Sequence, residues 1–294
     1  MKRKKIKVGN IVIYVFFIIV CMCMLYPFVC IMSVSLTSGE EIGKSGFGVL
    51  PKNIDFSAYI YIFKSPSGVL KAYGTTILVA VLGTAVGGIV TALYAYAISR
   101  QTFKLRRLLS FFATFTMYFG GGMASKYIIN VSVLHMKNSI WVLILPIAFS
   151  AMNMIIMRAY FEQLPYGMVE SAKIDGANEF KIFGSIMLPL AKPAIATICL
   201  TLFVGYWNAY YEAMMYMDTG NYVTIQLLLH RMLQKVDFIK SYAGTGLLAA
   251  EAANLPSESL RMAMCAVTVI PMLCVFPRFQ KYFVKGMAIG AVKE

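Results

Sequence analysis

Two sets of polar side chains interrupt an otherwise apolar chain, and their types limit the chemistry open to each. The first lies in VESAKIDGANEFKIFGSIMLPLAKP, residues 169–193. Glu170, Asp175 and Glu179 stand there against Lys173 and Lys181, a net charge of −1 over residues 169–187. These are solvating and docking groups. The second set is Thr197, Thr201, Gly205, Asn208 and Glu212, at spacings of 4, 4, 3 and 4. At ~100° per residue they fall within an arc of ~80° on one helix. A polar stripe with a carboxylate inside an apolar run must face protein or water rather than lipid. Catalysis and metal binding have little to draw on. The only histidines, His135 and His230, sit in separate loops, and the six cysteines all lie inside apolar runs, where thiols act as small hydrophobes. No catalytic or metal-ligating residue is assigned. GEEIGKS at 39–45 imitates a phosphate-binding loop but has three residues between its glycines where four are needed, and GTGLLA at 244–249 lacks the strand a dinucleotide fingerprint requires.

The elements that position these residues follow from composition. The chain has 294 residues, 59% of them hydrophobic and 14% charged, with a mean hydropathy of +0.71. A soluble chain is ~45–50% apolar and ~25% charged. The long uncharged runs predict an all-α polytopic membrane protein, a single transmembrane domain over 1–294 in contact with the lipid bilayer. Six spans are expected, at about 11–36, 72–98, 108–125, 138–157, 194–216 and 259–277. The basic stretch MKRKKIK precedes the first, whose apolar run is too long for a secretory signal and reads as a retained anchor. Pro27, Pro146 and Pro271 predict kinks. With the N-terminus in the cytoplasm, 17 of the 27 Lys and Arg residues fall on inner segments. Both termini and residues 165–193 are then cytoplasmic, and loops 37–71 and 217–258 face outward. The net charge of +14 belongs to this loop asymmetry and not to a nucleic-acid partner.

Within 165–193, Pro165 suits a first helical turn, helix is expected from Tyr166 to Ile174, and Asp175-Gly176 is a turn signal. Asn178 caps a second helix to about Met187, which Leu188-Pro189 breaks. Phe180, Phe183 and Met187 share a face of the second helix, and Met168, Val169 and Ala172 a face of the first. The slightly acidic polar face suits a protein partner better than anionic headgroups.

The segment resembles the coupling loop of ABC-transporter permeases: E-A-A, three residues, G, nine residues, I, one residue, L-P. Here it reads Glu170-Ser171-Ala172, Gly176, Ile186 and Leu188-Pro189, with Ser171 for the middle alanine. Asp175-Gly176-Ala177 is similar to sugar-transporting permeases. LPLAKPAIATI, Trp207-Asn208, PSESLRMA at 256–263 and QKYFVKGMAIGAVK at 280–293 resemble the carbohydrate-uptake group, in particular its smaller, maltose-type permease and the oligosaccharide or polysaccharide subgroup. FGGGMASKY at 119–127 departs from the pattern, which carries a proline near Ser125.

The resemblance implies a heterodimer with a second permease, an ATPase dimer docked at 165–193, and a sugar-binding protein at the outer loops. It implies no cofactor of the chain's own, since ATP and Mg bind the ATPase. Glu170, Ser171, Ala172, Asp175, Gly176, Ala177, Leu188 and Pro189 then form the ATPase-coupling elbow, with Phe180 or Phe183 as apolar anchor. The stripe (Thr197, Thr201, Gly205, Asn208, Glu212), with Trp207, Tyr211 and Asn153, lines the translocation pathway or a seam against the partner permease; tyrosine rings there suit sugar faces. Gly83 and Gly87, at G-x-x-x-G spacing, serve helix packing within the chain or between permeases. The alternative function is an ion-coupled secondary transporter, which usually carries more in-span charge and an internal repeat.

Overall fold

The structure is a computed structural model that describes residues 8–51, 53–218, 222–242 and 257–291. MKRKKIK, GTGLLA and much of the expected second outer loop (219–221 and 243–256) lie outside the described residues. Those described are almost entirely helical, as an apolar chain must be where no water can satisfy its backbone.

One compact unit comprises the chain up to Val69 together with Leu229–Pro271. Helix α1 (Val8–Ser35) runs on through Pro27, and its apolar side chains from Ile11 to Met32 are largely exposed, as a lipid- or partner-facing helix requires. Residues 37–71, the expected first outer loop, are structured by α2 (Gly39–Ser45) and α3 (Ser57–Ile62). GEEIGKS is thus α2, capped by Ser38, whose Oγ accepts the Glu41 N–H at 3.3 Å. Ser35 Oγ and Tyr59 OH hydrogen-bond at 2.9 Å.

The second unit comprises Leu70–Leu228 with Met272–Glu294. It holds most of α4 (Pro66–Ser99), then α5 (Arg106–Tyr118), α6 (Gly122–Ile128), α7 (Ile140–Ile144) and α8 (Ala151–Gln163). The segment 165–193 follows as α9 (Gly167–Ile174), α10 (Glu179–Ile182) and α11 (Leu188–Leu190). After it come α12 (Lys192–Trp207) and α13 (Tyr210–Tyr216). The chain closes with α14 (Ile225–Ser241) and α15 (Ser257–Ala291), each shared between the two units. The unit's core gathers Ala80, Ala95, Leu143, Met154, Ile198 and Tyr206; α12 packs on α8 and α13 on α7. A three-part ion pair ties α5 to α8: Glu162 Oε1 accepts from Arg106 at 2.7 Å and from Arg158 at 2.9 Å.

Several expected spans are interrupted. Among the described residues, three helical stretches are long and apolar enough to cross a bilayer: Ile11–Ser35, Pro66–Ser99 and Glu258–Pro277. The number rises to five when each of two bent helix pairs is counted as one span. The expected third span is corrected. Its helix stops at Tyr118 after 13 residues, roughly 20 Å against the ~30 Å of a hydrocarbon core. The run Gly120-Gly121-Gly122, with Gly122 at φ 74°, breaks it there. The fourth bends by 53° between Ile147 and Ala151, where Pro146 lacks a donor and Ser150 starts a new helix. The fifth breaks at Asn208-Ala209. At Pro271 the helix continues.

Candidate functional site

The segment 165–193 is built from local signals. Helix α9 ends in a Schellman cap: Ala177 N–H donates to Ala172 O at 2.9 Å and Gly176 N–H to Lys173 O at 3.0 Å. Gly176 sits at φ 77°, a left-handed conformation that L side chains resist. Asn178 Oδ1 accepts the Lys181 N–H at 2.8 Å and starts the second helix two residues later. That helix does not stop at Leu188-Pro189. It widens into a π turn at Phe183–Met187 and continues to Leu190. Pro189 falls in the opening turn of this last piece, where a missing donor costs little. The break comes at Ala191, where the chain turns by 82° into α12.

The segment has two faces. Val169, Ala172, Ile182 and Met187 are buried, while Glu170, Ser171, Asp175 and Gly176 face outward; Ala177 and Leu188 pack at the core edge. The shared aromatic face is corrected. Phe180 is 79% exposed, whereas Phe183 packs on Tyr96 with ring centroids 5.0 Å apart. One ordinary turn precedes the π turn, so Ile182 and Met187 set the inward direction and leave Phe180 outside. Met168 also leaves its expected face, at 46% exposure.

Glu179 joins the segment to the end of α4. Its carboxylate meets Lys173 Nζ at 2.7 Å and accepts from Tyr96 OH at 2.5 Å. Arg100 Nη2 donates to Tyr96 OH at 2.7 Å, and its guanidinium lies 4.5 Å from the Tyr96 ring centroid. Burial raises the Glu179 pKa, but hydrogen bonds from Lys173 and Tyr96 and the charges of Lys173 and Arg100 outweigh it and hold the carboxyl below its ordinary value. Sequence reasoning missed Tyr96 and Arg100: an arginine at the end of an expected span reads simply as positive-inside bias, and Glu179 lies far along the chain.

The polar stripe is not one helix. Thr197 Oγ1 donates to Pro193 O and Thr201 Oγ1 to Thr197 O, both at 3.0 Å, and Asn208 Nδ2 donates to Val204 O at 3.0 Å. Thr201 and Gly205 are exposed on α12, and Asn208 just past its end. Glu212 stands beyond the break, half-buried on α13. There it lines a cavity of about 460 Å³ with Tyr211, whose OH donates to Met123 Sδ at 2.6 Å. Trp207 turns into the protein, 4% exposed, and Asn153 is buried in the first turn of α8. Gly83 and Gly87 face the chain's own helices. A Cβ at Gly83 would overlap the Tyr206 ring, and one at Gly87 would lie 2.7 Å from Ala148 O. Tyr206 OH, held in that contact, donates to Ile144 O at 2.8 Å.

Residues 86–289 match the family model described as binding-protein-dependent transport system inner membrane component. The chain belongs to this family. It is a multi-pass protein of the bacterial cytoplasmic membrane. It is 36% identical to the polygalacturonan/rhamnogalacturonan transport system permease protein YtcP of Bacillus subtilis (strain 168), over 98% of this chain and 99% of that one. Protein LplC of the same organism is 36% identical over 91% of this chain and 88% of its own. A chain of a bacterial ABC transporter that imports the acidic polysaccharide alginate superposes with a TM-score of 0.79 at 31% identity, over 96% of this chain and 99% of that one.

Proposed function

We infer that this chain is one of two permeases of a binding-protein-dependent ABC sugar importer, and that it has both termini in the cytoplasm. It forms the translocation pathway with a second, homologous permease. Through residues 165–193 it couples ATP hydrolysis on a separate ATPase chain to uptake of an oligosaccharide or polysaccharide fragment. The observation that carries this reading is the two-faced elbow: an inner face fixed to the core by Val169, Ile182 and Met187, and an outer face that presents Glu170, Asp175 and the bare ring of Phe180. An exposed aromatic on a tightly capped turn is the kind of anchor that fills a partner's pocket. Cargo follows the relatives, whose own names give polygalacturonan or rhamnogalacturonan and alginate. The test is affinity purification of the tagged chain from its native membrane. A second permease and an ATPase should co-purify, and reconstituted vesicles should take up oligosaccharide only with ATP. Ion-gradient-driven uptake by the chain alone would overturn the reading.

A further inference from the structure

The cavity of about 460 Å³ beyond the end of α12 holds two opposite charges that do not pair. Lys126 of α6 and Glu212 of α13 both line it, and among the described residues neither forms an ion pair. The other lysine of the same connection, Lys137, is neutralised by Asp218 at 2.6 Å. The tyrosines in the wall are held in place. Tyr216 OH accepts from Asn130 Nδ2 at 3.0 Å and its ring stacks on Tyr127 at 5.9 Å; Tyr211 is fixed on Met123. Gly120 and Gly122 leave the mouth without side chains.

Lys126 is exposed where it lines the cavity, so its ammonium is free to donate to an anion that enters. A carboxylate on the other side accepts hydroxyl hydrogens, and the half-buried Tyr211 offers its ring to the C–H face of a pyranose. One ligand offers all three features: a sugar that carries both hydroxyls and a carboxylate. We propose that this cavity is a subsite for a uronic acid unit of the transported chain, with the uronate carboxylate on Lys126 Nζ and ring hydroxyls on Glu212. The assignment rests on the importer reading and names the cargo chemistry that this chain itself recognises. A neutral sugar would leave Lys126 without a counter-charge.

The experiment reconstitutes the complete importer, with its binding protein, second permease and ATPase, and measures trigalacturonate uptake. Variants are Lys126→Gln, Lys126→Arg and, as a control at the paired lysine, Lys137→Gln. Loss of one charge-assisted hydrogen bond raises the KM of Lys126→Gln about tenfold or more; Lys126→Arg restores it, and Lys137→Gln matches the unaltered protein. Unchanged uptake in Lys126→Gln overturns the proposal, as does equal damage in Gln and Arg variants, which marks a merely structural lysine. Import of neutral oligosaccharides but not trigalacturonate by the unaltered complex overturns the subsite and leaves the importer reading standing. Import of no oligosaccharide at all overturns both.

Discussion

At Gly176 the backbone takes φ 77° with no side chain in the way, so substitution there acts through backbone strain alone. Valine costs about 1–2 kcal/mol in this conformation. That is too little to unfold a large membrane protein but enough to loosen the turn that fixes α9 against α10. Gly176→Val should leave the complex assembled while uncoupling ATP hydrolysis from uptake, read as transport events per ATP. Glu170→Arg should uncouple in the same assay by reversing a charge on the exposed face. Phe180→Ala removes a ring that is 79% exposed, so the thermal midpoint of the purified chain should not move, while the ATPase should be lost during co-purification. Gly83 makes the opposite case. Any side chain there meets the buried Tyr206 ring, so Gly83→Val should destabilise by about 1–3 kcal/mol, seen as a lower unfolding temperature.

Among the elements, the joint between α4 and α10 carries a pH prediction. A carboxyl held below its ordinary pKa stabilises above its unfolded value, and the contribution is lost as pH falls through the folded value. The Lys173–Glu179–Tyr96–Arg100 cluster is therefore closed at neutral pH and opens in acid. Transport per ATP should fall as the medium is acidified, and Glu179→Gln should show the acid behaviour at neutral pH with that pH dependence removed. The sequence made half of this joint readable. Asp175-Gly176 and Asn178 are local signals, and the cap and turn stand where those residues put them. The π turn and the parting of Phe180 from Phe183 are not local. They follow from packing on Tyr96 and Phe161, and Glu179 finds Tyr96 across 83 residues. The breaks at 119–121 and 208–209 were hidden for another reason. The expected spans across them, 108–125 and 194–216, carry no charge but Glu212, so a search for long uncharged runs passes over a glycine run and an asparagine that end helices.

For the whole molecule, the α-helical class and the membrane setting were written in composition, since long apolar runs admit few other structures. The number of complete crossings was not, because it depends on bent pairs whose geometry comes from packing between helices. The exposed apolar surface of α1 and the outward Thr201 and Gly205 of α12, with Asn208 at its end, fit a chain that is one part of a larger assembly. The most direct measurement is site-specific crosslinking from a photoreactive residue at Phe180 in native membranes, with and without ATP. The account predicts an adduct with the ATPase subunit whose yield changes with nucleotide. A reagent confined to the outside of the cell should not reach the same position. Labelling from outside, or adducts with lipid alone, would contradict the account.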